Sequence, residues 1–148
     1  MNSDSEQPSH SSISEMLEAA AAKRVELSNR WPTAAQVGPH ATEQRKSGQL
    51  LGVYLTEPHH HFRYPVWQFQ PDGQPVSHFA EILSIIREDG PYLDKEGRTT
   101  GWGEVEWFLS GHVLLNGECP ADVLQHDPKA VLEAARVEYI EEGNLGGF

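Results

Sequence analysis

The helical spacing of apolar residues in the second half of the chain constrains the fold most strongly. Phe79, Ile82, Leu83 and Ile86 recur at intervals of three and four, which places them on one face of a helix. This pattern predicts an amphipathic helix from about Ser77 to Glu88. An apolar face of this kind needs other elements to cover it, so we expect a helical core around it.

Further helices are predicted wherever similar spacing meets proline, glycine or a capping residue. The expected segments are 12–29, 34–37, 40–47, 102–109, 121–125 and a last helix from Asp127-Pro128 to just before Gly143. Ser12 with Glu15 is a capping-box pattern for the first of them. The segments 50–55 and 61–69 are aliphatic and aromatic, and together they predict a β-hairpin.

The order of these elements predicts a mainly α fold. We expect a disordered tail at 1–12, then a helix and a helix-turn-helix-like region with a small β-hairpin wing at 13–62. A domain of four helices should follow at 63–142, with a flexible tail at 143–148. Between the two regions, Tyr64 should close the hairpin, while Trp67 and Phe69 should anchor the helical half.

Charge is divided unevenly along the chain, whose formal net charge is −11. Up to Val76 there are 6 Lys and Arg against 8 Asp and Glu, and from Ser77 onward there are 5 against 14. An acidic second half repels nucleic acid and favours a basic protein partner. The window 30–54 reverses the balance, with three cations against Glu43 alone, so a DNA contact would have to come from there.

Cysteine usage and the N-terminal residues predict a cytoplasmic protein. Cys119 is the single cysteine, which excludes an internal disulfide and favours a reducing compartment. Residues 1–12 carry no Lys or Arg and do not resemble a signal peptide. No apolar run approaches the roughly 20 residues that a membrane helix needs.

The sequence favours no catalytic or metal site. Consecutive residues on a strand point to opposite faces, so His59, His60 and His61 fit an exposed hairpin tip better than a metal site. The acidic residues Glu104, Glu106, Glu118 and Asp122 are expected to form a solvent-exposed face rather than an acid–base pair. Phosphate-loop and serine-nucleophile motifs are absent. We therefore expect a protein that is not an enzyme and that binds neither cofactor nor metal.

Two short helices around a glycine-containing turn form the skeleton of a helix-turn-helix. Polar and basic side chains on such helices can contact base edges, and a hairpin beside them can contact phosphates. The candidate DNA-binding residues are Gln36, His40, Thr42, Gln44, Arg45 and Lys46. An ordinary solvent-exposed surface explains the same residues equally well, and the sequence leaves both interpretations open.

From Arg63 to Tyr139 the chain resembles the toxin-binding domain of the Xre/MbcA/ParS antitoxins. The matching motifs are Arg-Tyr-Pro-x-Trp-Gln-Phe at 63–69, a turn at 72–73, a Trp-bearing helix at 102–109, Leu-x-Gly-x-x-Pro-Ala-x-x-Leu at 115–124 and Val-Leu-x-Ala-Ala at 131–135. Upstream, residues 33–38 and 45–53 resemble parts of the helix-turn-helix in the same family.

The resemblance implies an antitoxin that covers the active site of a RES-type or related NAD-targeting toxin. It also implies repression of its own operon, and a homodimer or a hetero-oligomer with the toxin. The implied toxin-binding residues are Glu133, Arg136, Val137, Tyr139, Ile140, Leu145 and Phe148. Two alternatives remain: a stand-alone winged-helix DNA-binding regulator with a C-terminal dimerisation domain, and a small metal-dependent enzyme that uses the histidines.

Overall fold

The computed structural model describes residues 10–141. They are mainly helical, with a small two-stranded antiparallel sheet, as the sequence predicted. The described chain divides after Trp31 into two compact units. The predicted boundary between residues 62 and 63 lies inside the second unit.

The first unit is built on helix α1, His10–Ser28. This confirms the predicted helix but corrects its start, since residues 10–12 are helical rather than part of a tail. The rest of the predicted tail lies outside the described residues. Several apolar side chains of α1 are exposed, among them Ile13, Met16 and Leu17. The spacing therefore predicted the helix correctly, while these side chains remain accessible on the described chain.

The second unit begins with two short helices, α2 (Ala34–Val37) and α3 (Ala41–Lys46). Thr33 caps α2, because the Thr33 side chain accepts from the Gln36 backbone and the Gln36 side chain accepts from the Thr33 backbone at 2.9 Å. Strands β1 (Val53–Leu55) and β2 (His61–Arg63) then pair antiparallel. The predicted hairpin is thus confirmed, although it is shorter than the apolar segments suggested.

A small core lies under these elements. Its fully buried members are Ala41, Leu50 and Tyr64, and Phe69 packs against them. That Phe69 also anchors the helical half stays a prediction. Residues 66–68 form a 3-10 turn rather than a continuation of the strand. Trp67 does reach the helical half, where its ring lies 4.8 Å from that of Phe108.

The helical half contains α4 (Phe79–Asp89), α5 (Trp102–Leu109), α6 (Pro120–Leu124) and α7 (Pro128–Arg136). A 3-10 turn spans Val113–Leu115, and α7 continues as a π-helix at Val137–Glu141.

The core of this half forms between α4 and α7, which pack against each other. On α4 the residues Phe79, Ile82, Leu83 and Ile86 are fully buried, as their spacing predicted. Burying an aliphatic or aromatic side chain of this size contributes roughly 1.5–3 kcal/mol. The apolar face of α4 is therefore a main source of stability. The Asp127 side chain caps α7 by accepting from the Ala130 backbone, which confirms the predicted cap.

One buried amide joins the two halves of this unit. The Gln68 side chain donates to the Leu51 carbonyl at 2.8 Å and to the Pro65 carbonyl at 3.0 Å, and it accepts from the Leu51 backbone N–H at 2.8 Å. Leaving a buried backbone group without such a partner costs about 1–3 kcal/mol. Gln68 therefore fixes the chain before β1 against the 3-10 turn after β2.

The start of α5 lies directly against β1. The Trp102 indole donates to the Tyr54 carbonyl at 2.9 Å, and the Tyr54 backbone donates to the Thr100 carbonyl at 2.8 Å. Gly101 makes this approach possible, because its φ is +83° and a Cβ there would collide with the Gly52 carbonyl oxygen. These contacts hold the hairpin beside the segment that precedes α5.

Candidate functional site

Exposed apolar residues cluster between the end of α5 and the following 3-10 turn. Leu109 is 40% exposed, Leu114 is 50% and Val113 is 86% exposed, and Ile140 on the π-helix is 39% exposed. We call these four residues the C-terminal surface. Large apolar side chains left together in water are typical of a protein interaction site, and three of the four stand within residues 109–114.

A shared carboxylate holds this surface in place. Glu138 Oε1 accepts from the Trp107 indole at 2.9 Å and lies 2.8 Å from His112 Nε2. Because His112 Nδ1 accepts from the Leu114 backbone at 3.1 Å, Nε2 is the nitrogen that donates to Glu138. The π-helix is therefore tied to the residues that present Val113 and Leu114.

A tyrosine pair lies beside this carboxylate. The hydroxyls of Tyr92 and Tyr139 are 2.9 Å apart. Burial is the main reason why the pKa of each phenol is raised, and the neighbouring charge of Glu138 raises both further. Gly103 leaves room for the pair, since a Cβ there would lie 2.6 Å from Tyr92 Cδ1. Both phenols are neutral near pH 7, so they can share a hydrogen bond. This bond connects the loop before α5 with the π-helix.

The carboxylates predicted to form an exposed face divide into two groups. Glu106, Glu118 and Asp122 are exposed, as expected. Glu104 is fully buried, which corrects the prediction for this residue. It accepts from Arg87 Nε at 2.8 Å and from the Thr99 hydroxyl at 3.0 Å. A buried carboxylate needs partners of this kind, and they come from α4 and from the loop before α5.

The implied toxin-binding residues do not form one free surface. Arg136 on α7 pairs with Glu81 on α4 at 2.7 Å, and Tyr139 is bonded to Tyr92. Val137 is half-buried, whereas Glu133 and Ile140 are exposed. Leu145 and Phe148 lie outside the described residues. Within the described chain, Ile140 is the apolar member of this set that belongs to the C-terminal surface.

The histidines at the hairpin tip interact locally. His60 Nδ1 lies 2.5 Å from the Tyr54 hydroxyl, and His61 Nδ1 lies 2.7 Å from the His59 carbonyl. Within residues 10–141 no three His, Cys, Asp or Glu side chains are close enough together to hold a metal ion.

The candidate DNA-binding residues are partly engaged within the protein. The Gln36 side chain completes the cap of α2, and Gln44 is half-buried, while His40 and Thr42 are exposed. Arg45 and Lys46 lie together at the end of α3, where they line a groove of about 690 Å³. The structure therefore brings two of the six residues into one site.

Sequence reasoning did not find the rest of this groove or the C-terminal surface. Phe62, Arg87, Arg98 and Thr99 also line the groove, and they come from β2, α4 and the loop before α5. No local pattern marks them as neighbours. Val113 and Leu114 did carry a signal, because three large aliphatic residues, 113–115, stand between His112 and the turn at Asn116-Gly117, and only Leu115 of them is buried.

None of the helices within residues 10–141 has the length and apolar character needed to span a membrane. No protein-family model, no curated protein and no solved structure matches this chain.

Proposed function

We propose that this protein is a non-catalytic binding protein of the antitoxin type, which blocks a partner enzyme through the C-terminal surface. The observation that carries the proposal is the exposure of Leu109, Val113 and Leu114 within six residues. Water contact at such side chains is unfavourable, and a protein partner that covers them gains roughly 25 cal/mol per Å² of apolar area.

The charge around this surface indicates the chemistry of the partner. From Ser77 onward the chain carries 5 Lys and Arg against 14 Asp and Glu. Glu106 on α5 and Glu118 before α6 are exposed in the segments that flank the surface. A basic protein face therefore suits the site, because opposite charges speed encounter and disfavour wrong partners.

The resemblance to antitoxin domains supports a toxin as that basic partner. A nucleotide-binding toxin needs a cationic pocket for its anionic substrate, and an acidic, partly apolar surface can cover the mouth of such a pocket. Inhibition then results from steric exclusion. It requires no chemistry from the protein.

Operator binding by a helix-turn-helix and wing is the second candidate. One observation favours it: Arg45 and Lys46 make no ion pair with any described residue, so no described carboxylate neutralises the two cations. An electrophoretic mobility shift with the DNA upstream of the gene tests it. A specific shift that is lost in an Arg45→Gln/Lys46→Gln variant supports operator binding, and no specific shift contradicts it.

The leading proposal is tested by neutralisation in cells. The product of the neighbouring reading frame is induced alone and then together with this protein, and growth is measured. We expect growth arrest without the protein, rescue by the wild type, and loss of rescue by Val113→Asp, since a buried charge at the interface is costly. Val113 is 86% exposed, so this substitution should leave the fold intact.

Leu17→Asp is the matched control, because Leu17 is also strongly exposed but lies on α1. It should rescue growth like the wild type. Removing residues 137–148 should also abolish rescue. That deletion, however, takes away the partners of Trp107 and Tyr92, so the point variant is the sharper test. Rescue by Val113→Asp equal to that of the wild type would overturn this placement of the surface.

A further inference from the structure

The groove lined by Arg45 and Lys46, called the basic groove below, has the size of a small-molecule site. One wall is the end of α3 with β2, and the other is α4 with the loop before α5. Its volume of about 690 Å³ lies within the range of roughly 300–1,000 Å³ that is usual for pockets that hold small ligands. The groove lies wholly within the second unit, and nothing in the proposed antitoxin function uses it.

The sign of the charge in the groove is opposite to that of the whole protein. Four cationic side chains line it, against a single described carboxylate, Glu88. Arg87 is neutralised by Glu104, and Arg98 lies near Asp94 and Glu96. Arg45 and Lys46 have no carboxylate within ion-pair distance among the described residues. Arg45 and Lys46 are therefore two neighbouring cations of the groove that no described carboxylate pairs with, in a chain of net charge −11.

Arg45 is held in a position suited to binding an anion. Its guanidinium carbon lies 3.6 Å from the centre of the Phe62 ring, so the planar group is stacked on the aromatic face and held in one orientation. Its Nε is buried and has no hydrogen-bond partner within residues 10–141. A buried donor without an acceptor is unfavourable, and an anionic oxygen would satisfy it.

Gly52 makes this arrangement possible. A Cβ at Gly52 would lie 2.6 Å from Arg45 Cδ and 3.4 Å from Phe62 Cδ1. The stem of Arg45 therefore fills the space that a side chain would otherwise occupy. The backbone of Gly52 needs no positive φ, so an alanine there would act on Arg45 and not on the turn.

We propose that this groove binds a phosphorylated small molecule of about the size of a nucleotide, with Arg45 and Lys46 on its phosphates. Ser84 supplies a hydroxyl in the lining, whereas the hydroxyls of Ser47 and Thr99 already donate to the Gln44 carbonyl and to Glu104. Phe62 and Leu93 supply apolar area for an organic group. A small ligand suits the site better than a nucleic acid, because the acidic protein repels a long polyanion more strongly than a short one.

Isothermal titration calorimetry at roughly 50 mM salt, where phosphate contacts are strong, tests the proposal. The probes are ADP, pyrophosphate and adenosine. We expect ADP or pyrophosphate to bind, with adenosine at least about tenfold weaker. Arg45→Gln/Lys46→Gln should weaken phosphate binding at least about tenfold, while Lys23→Gln/Lys129→Gln, which removes the same charge outside the groove, should leave it within about twofold.

Gly52→Ala tests how the position of the Arg45 side chain contributes to affinity, since it leaves the charge of Arg45 unchanged. We expect a loss of about three- to tenfold in affinity at unchanged net charge, because the new Cβ displaces the Arg45 stem. Circular dichroism establishes that each variant is folded. The proposal is overturned if neither ADP nor pyrophosphate binds, if adenosine binds as tightly, or if the Arg45/Lys46 variant is unaffected. Binding of duplex DNA that requires Arg45 and Lys46 and is not displaced by ADP would overturn the proposal as well.

Discussion

The basic groove and the C-terminal surface differ in whether their polar groups are paired within the protein. In the groove, Arg45 and Lys46 make no ion pair with a described residue, although the groove itself is held by the buried pair of Arg87 and Glu104. At the C-terminal surface the polar groups bind one another, and the large apolar side chains such as Val113 face water.

This difference indicates two kinds of ligand. Unpaired cations in a concave site gain most from a compact anion, since charge-assisted hydrogen bonds are the stronger ones. Exposed apolar residues on a fixed support gain most from a broad protein face that excludes water. One small chain can therefore hold both sites, provided that each rests on its own internal supports.

The largest effect is expected from removing the buried carboxylate behind the groove. Glu104→Ala leaves Arg87, whose side chain is 14% exposed, without its counter-charge. Breaking a buried pair in this way costs about 3–5 kcal/mol in the free energy of unfolding. Urea denaturation measures it. Glu106→Ala, an exposed neighbour on α5, should stay within about 0.5 kcal/mol of the wild type. A loss below about 1 kcal/mol for Glu104→Ala would show that the pair is not a support of the groove.

A smaller effect is expected at the support of the C-terminal surface. Glu138→Ala removes the acceptor shared by Trp107 and His112, and we expect a loss of about 1–2 kcal/mol in the free energy of unfolding. Partner binding should weaken as well, because residues 112–114 lose their tether. Glu133→Ala, an exposed site on α7, is the control. Equal stability of the two variants would mean that Glu138 does not organise this surface.

The smallest effect concerns alkaline pH and again separates the two regions. The pKa of Tyr139 is raised, chiefly by burial, so the folded protein holds the phenol proton more tightly than the unfolded chain does. This contribution to stability is complete below about pH 10, the ordinary tyrosine value, and is lost as the pH rises beyond it. Tyr139→Phe should therefore show a shallower decline in the free energy of unfolding above pH 10. Parallel pH dependences of the free energy of unfolding for the two proteins would contradict the raised pKa of Tyr139. Phosphate binding in the groove should be the same in both proteins.

Local chemistry made several elements predictable from sequence. The α4 face, the caps at Thr33 and Asp127, and Pro120 at the start of α6 all depend on residues within a few positions of one another. The hairpin was predictable for the same reason, but its length was not. Strand pairing ends where Tyr64 turns into the small core, and the apolar character of residues 64–69 does not reveal that end.

The sites themselves depend on contacts between distant residues. Glu104 resembles its exposed neighbour Glu106 in sequence, and it is buried because Arg87 on another helix meets it. Gln68 stands between Trp67 and Phe69, the two residues that the sequence predicted as anchors. Its amide, however, makes the hydrogen bonds that join the halves of the unit. Neither role can be read from neighbouring residues.

The amino-acid sequence thus determined the mainly helical class, the placement of most helices, the hairpin and the acidic second half, because spacing, caps and charge act over short distances. The tertiary structure decided which charged groups are paired, which apolar groups stay in water, and that Arg45 stacks on Phe62 beside a groove. Those outcomes require segments separated by tens of residues to meet, and the energy of each group depends on what it meets there. The groove and the C-terminal surface both arise at that level.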